Sequence, residues 1–482
     1  MTQFKISDLV MVLPEITIAA FAMLLLIVST FKCDSCIRKV NNISIIVLIF
    51  AAIMLFGSEF PNINFNNDIY IGNNFTLFSK VLIIIGAIFS IFLASGYYTI
   101  NSKYSVAEYP CLILLSVVGM MIMVSSANFL SLYMGLELQS LPLYILASIH
   151  RNNIKSSESG LKYFVLGALA SGIMLYGISL IYGFSGTINF SKIVEIYRNT
   201  EELPIGVIVG LVLLIVALCF KVSASPFHMW APDVYEGAPI PVTTFLAVAP
   251  KIAAICLFVN ILAYPFAKFF VQWQQVIIFV SALSMMVGAF GALRQVNIKR
   301  LMAYSSIGHI GYILMGLAST NSDGIQAIMI YITIYMVMTL GIFAAIMIVK
   351  EKEEGLEDIY SFSGLAKTKP LLAIVIAIIL FSMAGIPPFA GFFAKFYVFV
   401  AAIKAGLYPL ALLGVVTSVV STFYYLRIIK IMYFDEAKST LSRDTAFEMK
   451  FVSYFSAIFN VLFFIYFSTI VDITSTVAKV FR

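Results

Sequence analysis

Charged residues are scarce in this sequence. Asp, Glu, Lys and Arg together make up 11% of the 482 residues, whereas hydrophobic residues make up 61% and the mean hydropathy is +1.00. A soluble globular protein has about a quarter charged residues, so this composition excludes that class and predicts an integral membrane protein in contact with the lipid bilayer. We assign the net charge of +6 to loop lysines and arginines and predict no binding to nucleic acid.

Cysteine is also rare, with five residues in the chain. Cys33 and Cys36 form a CDSC pair, but no second pair follows it, which argues against a four-cysteine metal site. The sequence also lacks a G-x-G-x-x-G fingerprint, a flavin motif and an iron–sulfur cysteine array. We therefore predict neither metal-binding nor cofactor-binding residues on this chain.

The sequence does contain a series of long apolar runs, which predict an all-α membrane protein of about fourteen transmembrane helices. The first run is long enough to span a bilayer and lacks a small-residue cleavage site, so we expect no cleavable signal peptide. The predicted spans are 9–30, 43–57, 75–96, 109–124, 128–149, 160–184, 205–230, 239–263, 272–292, 298–318, 324–349, 370–403, 407–430 and 451–471.

The seventh and twelfth spans are unusually long, and each contains a central proline, in SASPF (223–227) and GIPPF (385–389). A proline frees the carbonyl four residues earlier, which in lipid needs a partner or a hydrated cavity. Each break lies in the fourth helix of a block of five, helices 4–8 and helices 9–13. Because five is an odd number of crossings, a five-helix unit repeated in tandem faces the opposite way the second time. We therefore predict two inverted five-helix repeats and two broken helices, a plan typical of transporters. The predicted divisions are helices 1–3 in 1–108, the first repeat in 109–264, the second repeat in 265–433, and a loop and last helix in 434–482.

Lysine and arginine are concentrated in the odd-numbered loops between the predicted spans. Because positively charged loops stay in the cytoplasm, this pattern fixes an orientation. We expect residues 31–42 and 350–369 to face the cytoplasm and both chain termini to lie on the opposite side.

Ionisable residues interrupt the predicted spans at several positions. On insertion scales each costs about 2.5–3.5 kcal/mol at a helix centre, so several together need compensation or a function. The lysines near helix starts can instead reach the membrane interface, and the histidines can be ordinary hydrogen-bonded helix residues. The residues are Lys80, Glu137, Lys162, Lys221, His228, Lys251, His309 and Lys395.

Buried lysines and a glutamate suit proton transfer. Burial disfavours the charged form of either residue, whereas a partner of opposite charge favours it. An ion pair at about 4 Å is worth about 4 kcal/mol at an effective dielectric near 20, or about three pKa units. Making or breaking one pair can therefore carry a lysine across neutral pH, and we interpret alternating Lys and Glu along a membrane interior as a proton relay.

Four motifs, in this order along the chain, resemble the antiporter-like subunits of respiratory complex I, the bacterial proton-pumping NADH:quinone oxidoreductase. The resemblance extends from about the third to the thirteenth span, and its wording favours the N-type members. The chain also stops after its last span, without the long lateral helix of the L-type members. The motifs are GLELQSLPLYIL (135–146), GLKYFVLGALASGIMLYGISLIYG (160–183), FKVSASPFHMWAPDVYEGAPIPVTTFLAVAPK (220–251) and AGIPPFAGFFAKF (384–396).

The resemblance implies a role for each matched residue. Family members have fourteen transmembrane helices with two inverted repeats, and each is thought to move one proton during electron transfer. Glu137 would be the glutamate of the fifth helix, and Lys221, at the break of the seventh, would be a switchable carrier paired with it. Lys251 would be the central lysine and Lys395 the exit lysine, while Lys162 matches a further lysine of the sixth helix. His228 and His309 are weaker candidates for conduction.

The resemblance also implies partners and a location. The expected partners are the other membrane and peripheral subunits of complex I, especially the neighbouring antiporter-like subunits. NAD, FMN, iron–sulfur clusters and quinone are expected on partner subunits, with no redox centre on this chain. We expect the bacterial inner membrane rather than the mitochondrial one. The alternative functions are an Mrp-type cation/proton antiporter subunit, a membrane subunit of a related hydrogenase, or a membrane scaffold that transports nothing.

Overall fold

The computed structural model describes residues 11–30, 36–57, 65–66, 69–100, 106–319, 322–349, 357–436 and 445–481. The first half of the chain forms α1 (Leu13–Thr30), α2 (Cys36–Gly57), β1 (Phe65–Asn66), β2 (Ile71–Gly72), α3 (Asn74–Ile100), α4 (Glu108–Val124), α5 (Phe129–Ala147), α6 (Ile154–Ser185), α7 (Phe190–Ile196), α8 (Ile205–Val222), α9 (Trp230–Gly237) and α10 (Ile240–Ala263). The second half forms α11 (Phe270–Leu293), α12 (Ile298–Ala318), α13 (Ser322–Val349), α14 (Leu365–Thr368), α15 (Pro370–Ala384), α16 (Ala390–Lys404), α17 (Tyr408–Phe434) and α18 (Phe447–Ala478), with short 3-10 turns at Ala267–Phe269, Ile359–Phe362 and Lys479–Phe481.

Every predicted span coincides with a helix. Among the described residues, twelve helices are long and apolar enough to cross a membrane, and α4 and α15 are shorter apolar helices at the two remaining positions. Some helices extend beyond their apolar part: α6 begins at Ile154 because Asn153 caps it, accepting hydrogen bonds from the backbone amides of Lys155 and Ser156. Hydropathy detects only the lipid-facing length, so it missed these polar ends and also the short β1–β2 hairpin.

Both predicted broken helices are interrupted, and each interruption begins with a left-handed residue. In the seventh span, predicted over 205–230 with a break, α8 ends at Val222, Ser223 has φ 60°, and α9 starts at Trp230. In the twelfth span, α15 ends at Ala384 and Gly385 has φ 87°. Pro250, in contrast, lies inside α10 without ending it.

The core lies where α10, α12 and α13 pack together. The apolar window of α10 is completely buried inside the protein, and those of α12 and α13 are 94% buried, whereas that of α1 is only 28% buried. A polar side chain within the apolar windows of these three helices therefore has almost no access to lipid or water. It must find its partners within the protein.

Lys80 does not extend to the membrane interface. It is 1% exposed, and its ammonium forms an ion pair with Glu15, which is 2% exposed, and a hydrogen bond with the Tyr70 hydroxyl. The pair ties α1 to α3, and Tyr70 adds the segment beside the hairpin. The alternative of an interfacial Lys80 is wrong, because α1 and the hairpin cover the start of α3. The Cys33 of the CDSC pair lies outside the described residues.

Candidate functional site

Lys221 lies in the last turn of α8, just before the break, and is 8% exposed. Its Nζ donates to Ser140 Oγ on α5 at 2.7 Å. The predicted ion pair with Glu137 is absent: no contact within 4 Å joins their charged groups among the described side chains, and Glu137 instead accepts a hydrogen bond from Ser171 on α6. Glu137 and Ser140 are one helical turn apart on the same face of α5, and the lysine is held by the hydroxyl of that face rather than by its carboxylate.

Lys251 is completely buried at the centre of α10. Its ammonium donates to Ser223 Oγ, in the break that follows Lys221, at 2.9 Å, and also to Ser306 on α12. The Ser306 hydroxyl in turn lies 2.7 Å from the Tyr335 hydroxyl on α13. Lys251 therefore connects the first broken helix to α12 through hydroxyl groups.

One face of α12 continues this polar line. His309, one turn beyond Ser306, is 4% exposed and contacts two tyrosine hydroxyls: Nδ1 lies 2.8 Å from Tyr331 and Nε2 lies 3.3 Å from Tyr425. Tyr425 also bonds to Ser305, the neighbour of Ser306. The His309 ring centre lies 5.5 Å from that of Tyr335, so His309 packs beside the hydroxyl groups around Lys251, although no hydrogen bond joins the two groups among the described residues.

Lys395, 5% exposed on α16, lies at the far end of this line. Its Nζ donates to the Ala384 carbonyl and to Ser418 Oγ, both at 2.8 Å, and lies 5.1 Å from the centre of the Tyr312 ring, one turn beyond His309. Ala384 carries the carbonyl that Pro388 was predicted to leave free, so the lysine satisfies the broken helix.

Hydroxyl residues are the part of this network that the sequence analysis missed. Ser140, Ser305 and Ser306 lie one turn from Glu137 or His309 on the same helix, a spacing that the sequence shows, whereas the others lie on facing helices or in the break. A small space of about 10 Å³, lined by Ser305, Ser306, Tyr335 and Thr339, adjoins the network. The buried Thr339 hydroxyl has no hydrogen-bond partner among the described residues. This volume is close to the minimum for one water molecule. The missed residues are Ser140, Ser171, Ser223, Ser305, Ser306, Tyr331, Tyr335, Ser418 and Tyr425.

The buried residues that run from Lys221 through Lys251 and His309 to Lys395 are called the buried line here. Lys162 lies apart from it. Its side chain is 41% exposed and forms ion pairs with Glu158 at 2.6 Å and with Asp233 on α9 at 2.7 Å. Asp233 also accepts from Arg300 on α12 at 2.6 Å, and Glu236 accepts from Arg300 at 3.0 Å and from Lys155 at 2.9 Å. We call Lys155, Glu158, Lys162, Asp233, Glu236 and Arg300 the cytoplasmic ion cluster, following the predicted orientation.

The carboxyl groups of Asp233 and Glu236 stay ionised. Asp233 and Glu236 lie outside the membrane-spanning helices. Burial by itself would raise the pKa of each carboxyl group, but the hydrogen bonds from the neighbouring lysines and Arg300 outweigh it and lower the pKa of both.

His228 is not joined to the lysines. It lies in the break between α8 and α9, partly buried, and its Nδ1 has no hydrogen-bond partner in the described part of the chain. The described residues also contain no group of three or more His, Cys, Asp or Glu side chains that could hold a metal ion. The site therefore consists of ammonium, carboxylate, imidazole and hydroxyl groups, which are groups that can exchange protons.

Comparison with known proteins identifies the family. The sequence model of the family described as NADH:quinone oxidoreductase/Mrp antiporter, TM matches residues 126–421. NADH-quinone oxidoreductase subunit N of Bartonella bacilliformis is 51% identical over 469 residues, covering 96% of this chain and 95% of the relative. The chain belongs to the subunit N family of NADH-quinone oxidoreductase. Subunit N of Pelagibacter ubique is 45% identical over 472 residues, covering 98% and 99%.

Solved structures show the same architecture. A chain of respiratory complex I from Thermus thermophilus with bound aureothin superposes with a TM-score of 0.81 at 28% identity, covering 95% of this chain and 98% of that one. A chain of the Mrp complex from Dietzia sp. DQ12-45-1b gives a TM-score of 0.83 at 21% identity, covering 96% and 97%, a likeness of fold alone. The predicted fold class and family are confirmed.

The subunit N family places the chain in a complex and a membrane. It is an antiporter-like membrane subunit of complex I, which is an oxidoreductase assembled from several subunits. The candidate spans and the relatives together support the predicted location, a multi-pass protein of the inner membrane. The division into inverted repeats and the roles of the individual site residues remain predictions.

Proposed function

We propose that this subunit moves protons across the inner membrane while the complex transfers electrons from NADH to quinone, a translocase activity. The electron-transfer groups, which are NAD, FMN, iron–sulfur clusters and quinone, are expected on the other membrane and peripheral subunits. The proposal that no redox centre lies on this chain is supported by its lack of a nucleotide, flavin or cluster motif.

The observation that carries the proposal is the surroundings of three lysines. Lys221, Lys251 and Lys395 are each at most 8% exposed, and no carboxylate lies within 4 Å of any of them among the described residues. Hydroxyl groups and one backbone carbonyl hold them instead. A buried ammonium that no carboxylate contacts directly is less favourable in its charged form than one in an ion pair, so such a lysine can release a proton as well as accept one.

The contacts suggest an order for the transfer. Glu137 and Ser140 lie on one face of α5, where Ser140 contacts Lys221. The break after Lys221 presents Ser223 to Lys251, and Lys251 contacts Ser306 on α12. From there His309 and Tyr312, one and two turns further along α12, lead to Lys395, which we assign as the exit. Hydroxyl groups can both accept and donate, so they can pass a proton between lysines.

Substitution of each lysine by methionine tests this function. Methionine keeps the length and apolar stem of lysine but cannot carry a proton, so Lys221→Met, Lys251→Met and Lys395→Met should assemble and lose at least about tenfold in proton pumping coupled to quinone reduction. Pumping is measured as acidification by inverted membrane vesicles, with assembly checked by native gel. The matched control is Lys404→Met, on the same helix as Lys395, where the lysine is 59% exposed and pairs with Asp323.

Normal pumping in an assembled complex carrying any of the three buried substitutions would remove that lysine from the route. An Mrp-type cation/proton antiporter subunit and a hydrogenase membrane subunit are the alternatives. The family model covers antiporters as well, but the relatives that match almost the whole chain are NADH-quinone oxidoreductase subunits. Sodium-driven proton movement without NADH would favour the antiporter.

The role of Lys162 stays a separate prediction. As a relay residue it would pass protons between the cytoplasmic surface and the buried line, and its ion pairs with Glu158 and Asp233 hold its ammonium at the surface end of that route. His228 has no contact that supports conduction, whereas His309 has two. We therefore include His309 in the route and leave His228 as a residue of the break.

A further inference from the structure

The half-helix α9 touches the surroundings of both central lysines. Its first residue, Trp230, donates from Nε1 to the carbonyl of Phe220 at 2.9 Å, immediately before Lys221. Its Tyr235 ring centre lies 5.3 Å from the ammonium of Lys251. Tyr163 on α6 stacks on Trp230, with ring centres 4.5 Å apart and planes 15° apart. A shift of α9 would therefore change the environment of both lysines.

The charged residues of α9 hold it to two other helices. Asp233 and Glu236, one turn apart, both accept from Arg300 on α12, at 2.6 and 3.0 Å. Asp233 also accepts from Lys162 and Glu236 from Lys155, both on α6. Because α9 is only eight residues long and follows a break, these contacts and the aromatic stack add to the packing of its buried side chains in fixing its position.

Arg300 connects this anchor to the residues that hold Lys251. It lies in the first turn of α12, the helix that carries Ser306 and His309. The amide of Arg300 is itself fixed by the side chain of Asn297, which caps α12. The ion pair thus sets the distance between α9 and α12. Both helices contact Lys251, α9 through the Tyr235 ring and α12 through Ser306.

We propose that Asp233 and Arg300 are positioning residues of the relay, which hold α9 against α12 so that Lys221 and Lys251 stay aligned with their hydroxyl partners. The inference rests on the proposed function of those lysines. Asp233 and Arg300 do not themselves transfer protons. The guanidinium of Arg300 stays protonated at any accessible pH, and Asp233 is held ionised by two cations. Their side chains, 33% and 29% exposed, lie at the surface end of α9 and not in the buried line.

The test uses Asp233→Asn, Arg300→Met and the double variant in the whole complex. Each single variant should assemble and lower the maximal rate of coupled quinone reduction about tenfold or more, with the KM for NADH and quinone unchanged. The double variant should be no slower than the slower single, because residues that act as one unit give non-additive losses. Arg300→Lys keeps one charged donor and should recover part of the rate.

The pH profile separates positioning from proton carriage. If the pair only positions α9, the variants are slower at every pH and their optimum does not move. A shifted optimum in Asp233→Asn would show that Asp233 exchanges protons and would overturn the proposal. Additive losses in the double variant would overturn it as well. The matched control is Asp323→Asn/Lys404→Met, which removes an exposed ion pair of 2.7 Å elsewhere on the chain and should keep the normal rate.

Running Lys251→Met in parallel distinguishes the two levels of the argument. If Lys251→Met stops pumping while Asp233→Asn pumps normally, the positioning role is wrong and the relay stands. If Lys251→Met pumps normally too, the proposed function has failed. If both lose pumping and Arg300→Lys is as slow as Arg300→Met, a single cation does not suffice and the simple anchoring role is contradicted.

Discussion

Replacing Lys80 by methionine leaves the carboxylate of Glu15 buried without a cation. Both side chains are at most 2% exposed, and one oxygen of Glu15 has no other hydrogen-bond partner in the described part of the chain. Breaking a buried ion pair by removing one partner costs about 3–5 kcal/mol.

This loss acts on the attachment of α1. The helix is mostly exposed on the outside of the protein, so the pair is a large part of what holds it to α3. A change of about 3–5 kcal/mol lowers the equilibrium constant for attachment by about two to nearly four orders of magnitude. The double variant Glu15→Gln/Lys80→Met removes both charges, and we expect it to recover most of the stability, because replacing a whole buried pair by neutral groups is often nearly neutral.

The assay is the amount of assembled subunit in membranes and the half-life of the complex at raised temperature. Lys80→Met should assemble poorly and lose activity fast on heating, whereas the double variant should approach the wild type. The assembled fraction of each variant should pump protons at a normal rate per complex, since Lys80 lies outside the proposed route. Equal stability of the single variant and the wild type, or a double variant as unstable as the single one, would refute the reasoning.

Four further outcomes test the site, the break in the twelfth span and the topology. Lys251→Arg should pump poorly although it keeps the charge, because a guanidinium cannot release its proton; normal pumping would make Lys251 a fixed charge. Lys395→Glu should keep part of the pumping and Lys395→Leu should lose about tenfold or more, and equal near-normal rates would remove Lys395 from the route. Gly385→Ala should destabilise the break by about 1–2 kcal/mol, because Gly385 is left-handed and a Cβ would lie 2.8 Å from Lys395 Cδ, which thermal inactivation measures. An impermeant thiol reagent should label Cys33 and Cys36 from the cytoplasmic side, and labelling only from outside would contradict the predicted orientation.

The sequence determined the membrane fold almost completely. A bilayer requires runs of about twenty apolar residues and satisfied backbone groups, so apolar length predicted the helices and the prolines at 226 and 388 predicted the interruptions. The same physics singled out the ionisable residues as candidates, because each is expensive at a helix centre. Four of the lysines, Lys80, Lys221, Lys251 and Lys395, are buried in the structure, and we assign a role in proton transfer to the last three.

Only the tertiary structure decided which groups those residues contact. Serine and tyrosine hydroxyls cost little in an apolar helix, so hydropathy gave no reason to single out Ser140, Ser306 or Tyr335. The separations are also long in sequence: Lys221 and Ser140 are 81 residues apart, and Lys251 and Ser306 are 55 residues apart. Their contact depends on how helices pack, which a single sequence does not encode in any local pattern.

The same limit explains the two lysines near helix starts. By position alone, Lys80 and Lys162 are equivalent, and either can reach the membrane interface. In the structure α1 covers Lys80 and supplies Glu15, whereas Lys162 stays 41% exposed beside Asp233. The sequence fixes where a charge lies along its helix, but neighbouring helices, brought there by the packing of apolar faces, decide whether that charge is buried and what neutralises it.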